Sequence, residues 1–142
     1  LFPYTTLFRS RIFISVLMLL LVLTSCQEKK ADFFEREAKE YTEKHCPTKM
    51  DAVTTLDSIV FVKGEDRIGD LLLYYSLSLD ETSRKILMDN LGQLADMNLN
   101  DLRNSIALAM YKEEGVEFTY IYHDASTGEK IVELHLTKKD YQ

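Results

Sequence analysis

The 142-residue chain has no tryptophan, two cysteines, two prolines and five glycines. So little proline and glycine excludes a collagen-like or low-complexity chain, and two cysteines are too few for a disulfide scaffold. A further absence is positional. No aspartate or glutamate precedes Glu28, and all 23 acidic residues follow from that point, so the chain consists of two kinds of material. Taken whole it is 46% hydrophobic and 28% charged, which is ordinary globular composition, and its length suits one domain. A mean hydropathy of −0.16 is too polar for several membrane spans.

The acid-free part begins with Leu1-Phe2-Pro3-Tyr4-Thr5-Thr6-Leu7-Phe8-Arg9-Ser10. This decapeptide resembles, codon for codon, the translated end of a widely used short-read sequencing adapter. The resemblance implies that residues 1–10 are an artefact, and they are set aside from the fold. After Arg11 comes Ile12 to Leu23, twelve residues with one hydroxyl and no charge. A bilayer-spanning helix needs about 20 apolar residues. The run is therefore too short to span, and it is apolar all round where a core helix would show a polar face. It has the length of a signal-peptide apolar region.

That run ends in Leu23-Thr24-Ser25-Cys26, which resembles the lipobox of bacterial lipoproteins. The resemblance implies that residues 11–25 are a signal cut between Ser25 and Cys26. Small Thr24 and Ser25 admit the peptidase, and the Cys26 thiol accepts diacylglycerol. The new amino group can take a further acyl chain, and two or more chains anchor stably where one is marginal. Gln27 rather than aspartate after the cysteine implies sorting to the outer membrane. The expected location is the bacterial cell envelope, with the membrane reached through the N-terminal lipid.

Cleavage before Cys26 leaves 117 residues with 15 basic and 23 acidic side chains, a net charge of −8. Such a surface repels phosphate backbones, so nucleic acid is not an expected partner. With Cys26 acylated, Cys46 is alone and no intramolecular disulfide can form. Residues 26–30 read as a polar tether and 31–142 as a single domain.

Within that domain, Phe34, Ala38, Tyr41 and His45 recur at helical spacing over Ala31 to His45, before Cys46-Pro47. Thr55–Lys63 and Asp70–Leu79 alternate as strands around the loop Gly64–Gly69. Ile86, Leu87, Leu91, Leu94 and Ala95 return to a 3.6-residue period after Asp80 or Ser83, either of which can cap. A further helix is predicted to start near Asn100-Asp101 and to stop at Gly115. Val116, Phe118, Tyr120 and Tyr122 alternate, Asp124–Gly128 turns, and Val132, Leu134 and Leu136 alternate again. The order α-ββ-αα-ββ predicts an α+β domain: an antiparallel sheet of about four strands, built from two hairpins, with helices on one face. In topology it resembles small secreted inhibitor, immunity and cystatin-like folds.

The chain supplies little recognisable chemistry. Asp96, Asn98 and Asn100 occupy the first, third and fifth positions of a calcium loop, but Asp101 and Ala107 stand where glycine and a bidentate glutamate are required. His45 and Cys46 are adjacent and point about 100° apart on a helix, which is unsuited to proton exchange. His123, His135 and Glu133 lie on the two arms of the last hairpin and could approach one another as zinc ligands. Asp51, Asp57, Asp66 and Asp70 fall in or beside loops. No catalytic residue, metal site or cofactor is assigned. The candidate binding surface comprises Tyr74, Tyr120, Tyr122 and His123. An exposed tyrosine stripe there would suit a protein, peptide or glycan through stacking and hydroxyl contacts, whereas core packing is the alternative for Phe118, Tyr120 and Tyr122. The expectation is a non-enzymatic, lipid-anchored binding domain. The rival is a small envelope hydrolase, or an inhibitor- or immunity-like module.

Overall fold

The computed structural model describes residues 29–142; the adapter-like decapeptide, the signal, Cys26 and Gln27 lie outside them. Helix α1 (29–45) is followed by strands β1 (Thr48–Lys49), β2 (Thr54–Lys63) and β3 (Gly69–Leu77). Helices α2 (Glu81–Asp89), α3 (Leu91–Asn104) and α4 (Ala109–Glu113) then lead to β4 (Glu117–Asp124), β5 (Lys130–Leu136) and a terminal turn of helix, α5 (Lys138–Tyr141). The α+β class is as expected. Lys29 and Lys30, read as tether, already belong to α1.

The five strands form one sheet in the order β1-β2-β3-β4-β5. Both anticipated hairpins, β2–β3 and β4–β5, are antiparallel, but β3 and β4 run parallel, from Asp70 opposite Glu117 to Leu77 opposite Asp124. The expected four-stranded antiparallel sheet is thus corrected to a five-stranded mixed one. The physical reason is the connection: a parallel pair needs a crossover long enough to return the chain to the starting end, and α2, α3 and α4 provide it. The extra strand β1 pairs through Thr48 with Leu56 and Lys49 with Thr55.

A second correction concerns the helices. Asn100 and Asp101 do not start a helix but lie inside α3. The break falls at Asn90, and Gly92 sits in the first turn of α3. Leu91, Leu94 and Leu102 keep the helical period through the polar stretch, and burial of Leu102 outweighs the capping tendency of the asparagines. Asp80 does cap, its carboxylate accepting from the Ser83 N–H at 2.7 Å. Asp96 to Asp101, the calcium-loop lookalike, is helical and offers no loop.

Described helices pack on one face of the sheet. Phe34 of α1 is 1% exposed, 5.6 Å ring to ring from Phe61 and stacked at 4.3 Å on Tyr111. Leu71, Leu102, Val116 and Phe118 complete the tightest part of the core. Helix α1 also seals the edge of β2 where β1 has ended. The Thr42 hydroxyl donates to the Ile59 carbonyl and accepts from the Ile59 N–H, both at 2.8 Å, satisfying two edge groups that would otherwise invite another strand. The β2–β3 turn requires Gly69, whose φ is +139°. A Cβ there would meet the Val62 carbonyl oxygen at 2.3 Å.

Candidate binding faces of the sheet

The four residues anticipated as one binding surface divide between the two faces, because side chains alternate along a strand. Tyr120 and Tyr122 point to the covered face and are each 6% exposed. Tyr75 joins them, its ring nearly parallel to both at 6.4 and 5.1 Å. Asn98 of α3 donates to the Tyr122 hydroxyl at 2.8 Å. Burial pushes the phenols of Tyr75, Tyr120 and Tyr122 above the ordinary tyrosine range, aided by the negative charge of Asp101. The trio is core that reaches the surface at half-buried Tyr75.

Tyr74 and His123 sit together on the opposite, open face, their rings stacked at 6.3 Å and 15°. Around them lie Ser58, Leu72 and Ser76, all partly exposed, and Val60, exposed at 42%; Val62, exposed at 45%, lies further along the same face, opposite Asp70. The register explains the neighbourhood: Ser58 faces Tyr74, Val60 faces Leu72, and Ser76 faces His123. Ile121, beside Tyr74, is 8% exposed through its strand neighbours.

The open face ends in a polar chain that single-sequence reasoning missed. The Thr119 hydroxyl and His135 Nδ1 are 2.9 Å apart, and His135 Nε2 lies 2.8 Å from Glu117 Oε2. Arg67 lies 3.6 Å from that carboxylate and binds Asp70 bidentately. A hydroxyl, an imidazole and a carboxylate in series invite comparison with a hydrolytic triad. Three observations oppose the comparison. Thr119 is 5% exposed, its hydroxyl is secondary, and β4 is paired on both sides, so nearby backbone N–H groups are committed to the sheet and cannot form an oxyanion hole. The chain ties β4 to β5 and to the β2–β3 turn. The only signal that could have found it is strand register, which brings Thr119 opposite His135.

The other suspected ligands stay apart. His123 pairs in register with Lys130, whereas His135 faces Thr119, four residues away along β4 and thus about 13 Å distant. Glu133 pairs with Lys130 at 2.9 Å. Asp51 accepts from the Val53 and Thr54 N–H groups, Asp57 accepts from Ser76, Asp70 is bound by Arg67, and Asp66 is exposed in the β2–β3 turn. Cys46 is half-buried, and burial raises its thiol pKa. Among the described residues no group of three or more His, Cys, Asp or Glu could hold a metal ion, and no helix is long and apolar enough to cross a membrane.

These features define a small α+β domain, with a five-stranded mixed sheet clad in helices on one face. The chain belongs to the family described as Domain of unknown function (DUF8479), whose model matches residues 29–132. No curated protein matches it in sequence. Two solved structures share the fold. One is a candidate secreted protein from Pseudomonas aeruginosa, with a TM-score of 0.67 at 12% identity over 82% of this chain and 96% of that one. The other is EpsS, the pilotin of the Vibrio vulnificus type 2 secretion system, with a TM-score of 0.64 at 11% identity over 83% and 97%. At such identities the likeness establishes the fold.

Proposed function

We propose that this protein is a lipid-anchored, non-enzymatic component of the bacterial cell envelope, and that it binds a protein partner through the open face of its sheet. The observation that carries the reading is that face itself. The Tyr74–His123 stack, with exposed Val60 near it and exposed Val62 further along the same face, combines aromatic area with polar tips, the composition enriched at protein interfaces. The lipobox-like Leu23-Thr24-Ser25-Cys26 supports the anchor, with Cys26 as the acylated residue. A fold shared with a secretion-system pilotin and a candidate secreted protein supports an envelope role exercised by binding. The geometry of Thr119, His135 and Glu117 argues against the hydrolase alternative.

Site-directed photocrosslinking in intact envelopes tests the proposal. A benzophenone side chain at Val60, on the open face, is expected to give one discrete protein adduct, and the same group at Met97, on the helical side, none. Tyr74→Ala should reduce the Val60 adduct about fivefold, the loss of one interface anchor. Equal labelling from both positions, or an adduct indifferent to Tyr74→Ala, would overturn the assignment of this face.

A further inference from the structure

Ile106 is 90% exposed, the most exposed large apolar side chain in the described domain. It occupies the short connection between α3 and α4. There the Ala109 N–H donates to the Ile106 carbonyl at 3.1 Å and the Leu108 N–H to the Ser105 hydroxyl at 3.3 Å. This tight turn holds the side chain outward with no packing role. Met110, one turn further on, is 53% exposed.

The position of this apolar tip within the molecule is informative. Lys30 pairs with Glu114 at the end of α4, and Lys63 pairs with Asp32 and Glu35. The start of α1, the β2–β3 turn, the α3–α4 connection and α5 therefore share one end of the domain. Arg103 donating to the Asp140 carbonyl and Lys112 donating to the Leu102 and Arg103 carbonyls bind the same end together. This is also the end at which the chain arrives from Cys26. Only Gln27 and Glu28 lie between Cys26 and Lys29, so three chain steps allow at most about 11 Å between the residue proposed to be acylated and the start of α1.

Charge is distributed to match. The stretches 29–35, 63–70, 103–117 and 137–142, which make up this end, hold eight basic and nine acidic side chains. The remaining described chain holds seven basic and thirteen acidic ones. The acidic excess thus lies away from the tethered end, where Lys29, Lys138 and Lys139 are exposed. An anionic bilayer repels the far end and tolerates this one, and an apolar side chain inserts to the headgroup–acyl boundary.

We infer that the domain docks on its membrane through the α3–α4 turn, with Ile106 inserted among the lipid headgroups. The lipid anchor and this turn together would fix its orientation, holding the sheet edge-on to the bilayer. The inference rests on the anchoring of Cys26 proposed above, and its partner is the lipid surface itself.

The absence of tryptophan makes the test direct. Full-length chain carrying Ile106→Trp, and separately Ile86→Trp in α2 as a far-end reference (Ile86 is 59% exposed), is purified lipidated. Each variant is reconstituted into vesicles of phosphatidylethanolamine with a minority of phosphatidylglycerol, with or without brominated acyl chains. Emission from Ile106→Trp should fall on the order of twofold in brominated vesicles, and emission from Ile86→Trp should not change. Protein that floats with the vesicles while Ile106→Trp stays unquenched overturns the docking and leaves the anchor standing. Protein with Cys26 intact that fails to float, or Cys26→Ser protein that floats as well as the native chain, overturns the anchor and with it the docking that rests on it.

Discussion

Alternate residues of β4 occupy two environments. On the covered face Phe118, Tyr120 and Tyr122 lie under helices, at 0%, 6% and 6% exposure. On the open face Thr119 and Ile121 are almost as hidden, at 5% and 8%, yet no described helix lies over them. Their concealment comes from neighbouring strands and from the Thr119–His135–Glu117 chain. Burial alone therefore does not distinguish the faces. What distinguishes them is what surrounds the central strand: a closed apolar core on one side, and on the other the partly exposed Tyr74 and His123 with the exposed Val60 and Val62. The covered face holds the fold together, and the open face is the one proposed above to meet a partner.

The largest expected effect tests that division at its core. Phe118→Ala removes a fully buried ring that packs edge-on to Tyr141 at 5.6 Å, and should cost about 3–5 kcal/mol in urea or guanidinium unfolding. Val60→Ala, on the open face, should cost about 1 kcal/mol or less. Comparable losses at the two positions would mean that both faces are core and would remove the argument for a binding surface.

The same contrast shows what a sequence can reveal. The hairpin β4–β5 is legible because alternation and a turn are both local: Gly128 takes φ +73°, and Asp124 accepts from Ser126 and Thr127. Helix α1 is legible from Phe34 and Ala38 at helical spacing. The parallel pairing of β3 with β4 is not, because period-2 alternation fixes which residues share a face but not which strand lies alongside. That gap leaves Tyr74 without a place relative to β4. Parity alone separates Tyr120 and Tyr122 from His123 within β4, but only register joins Tyr75 to the first pair and Tyr74 to His123. Register also creates the Thr119–His135–Glu117 chain, which has no spacing signature.

The covered row of β4 ends not in an apolar residue but in Asp124, 6% exposed, and acid should expose this difference. The Ser126 hydroxyl, the Ser126 and Thr127 N–H groups and the Arg84 guanidinium at 2.9 Å hold its carboxyl down at about 2. An unfolded aspartate titrates near 3.9. The stabilisation is thus fully present above about pH 4 and is lost as the pH falls from there toward about 2. Urea midpoints should drop across that window, and Asp124→Asn should drop less than the native chain because it no longer has a proton to take up. Asp51, Asp80 and Asp140, also held below the ordinary range by backbone N–H groups, titrate in both proteins. Identical acid responses would show that the row is anchored elsewhere.

The smallest effect on stability is expected where the effect on function is greatest. Tyr74→Ala removes a half-exposed ring whose stacking partner, His123, is itself partly exposed. An aromatic pair of this kind contributes about 0.5–1.5 kcal/mol beyond area burial, and water takes the place of much of the lost contact. The urea midpoint should therefore move by the equivalent of about 1 kcal/mol or less, against the severalfold larger loss at Phe118. A loss at Tyr74 matching Phe118→Ala would assign the second face to folding. A near-native midpoint together with a weakened Val60 crosslink would instead separate the two roles on a single strand pair, since Tyr74 and Tyr75 are consecutive residues of β3 that serve opposite faces of one sheet.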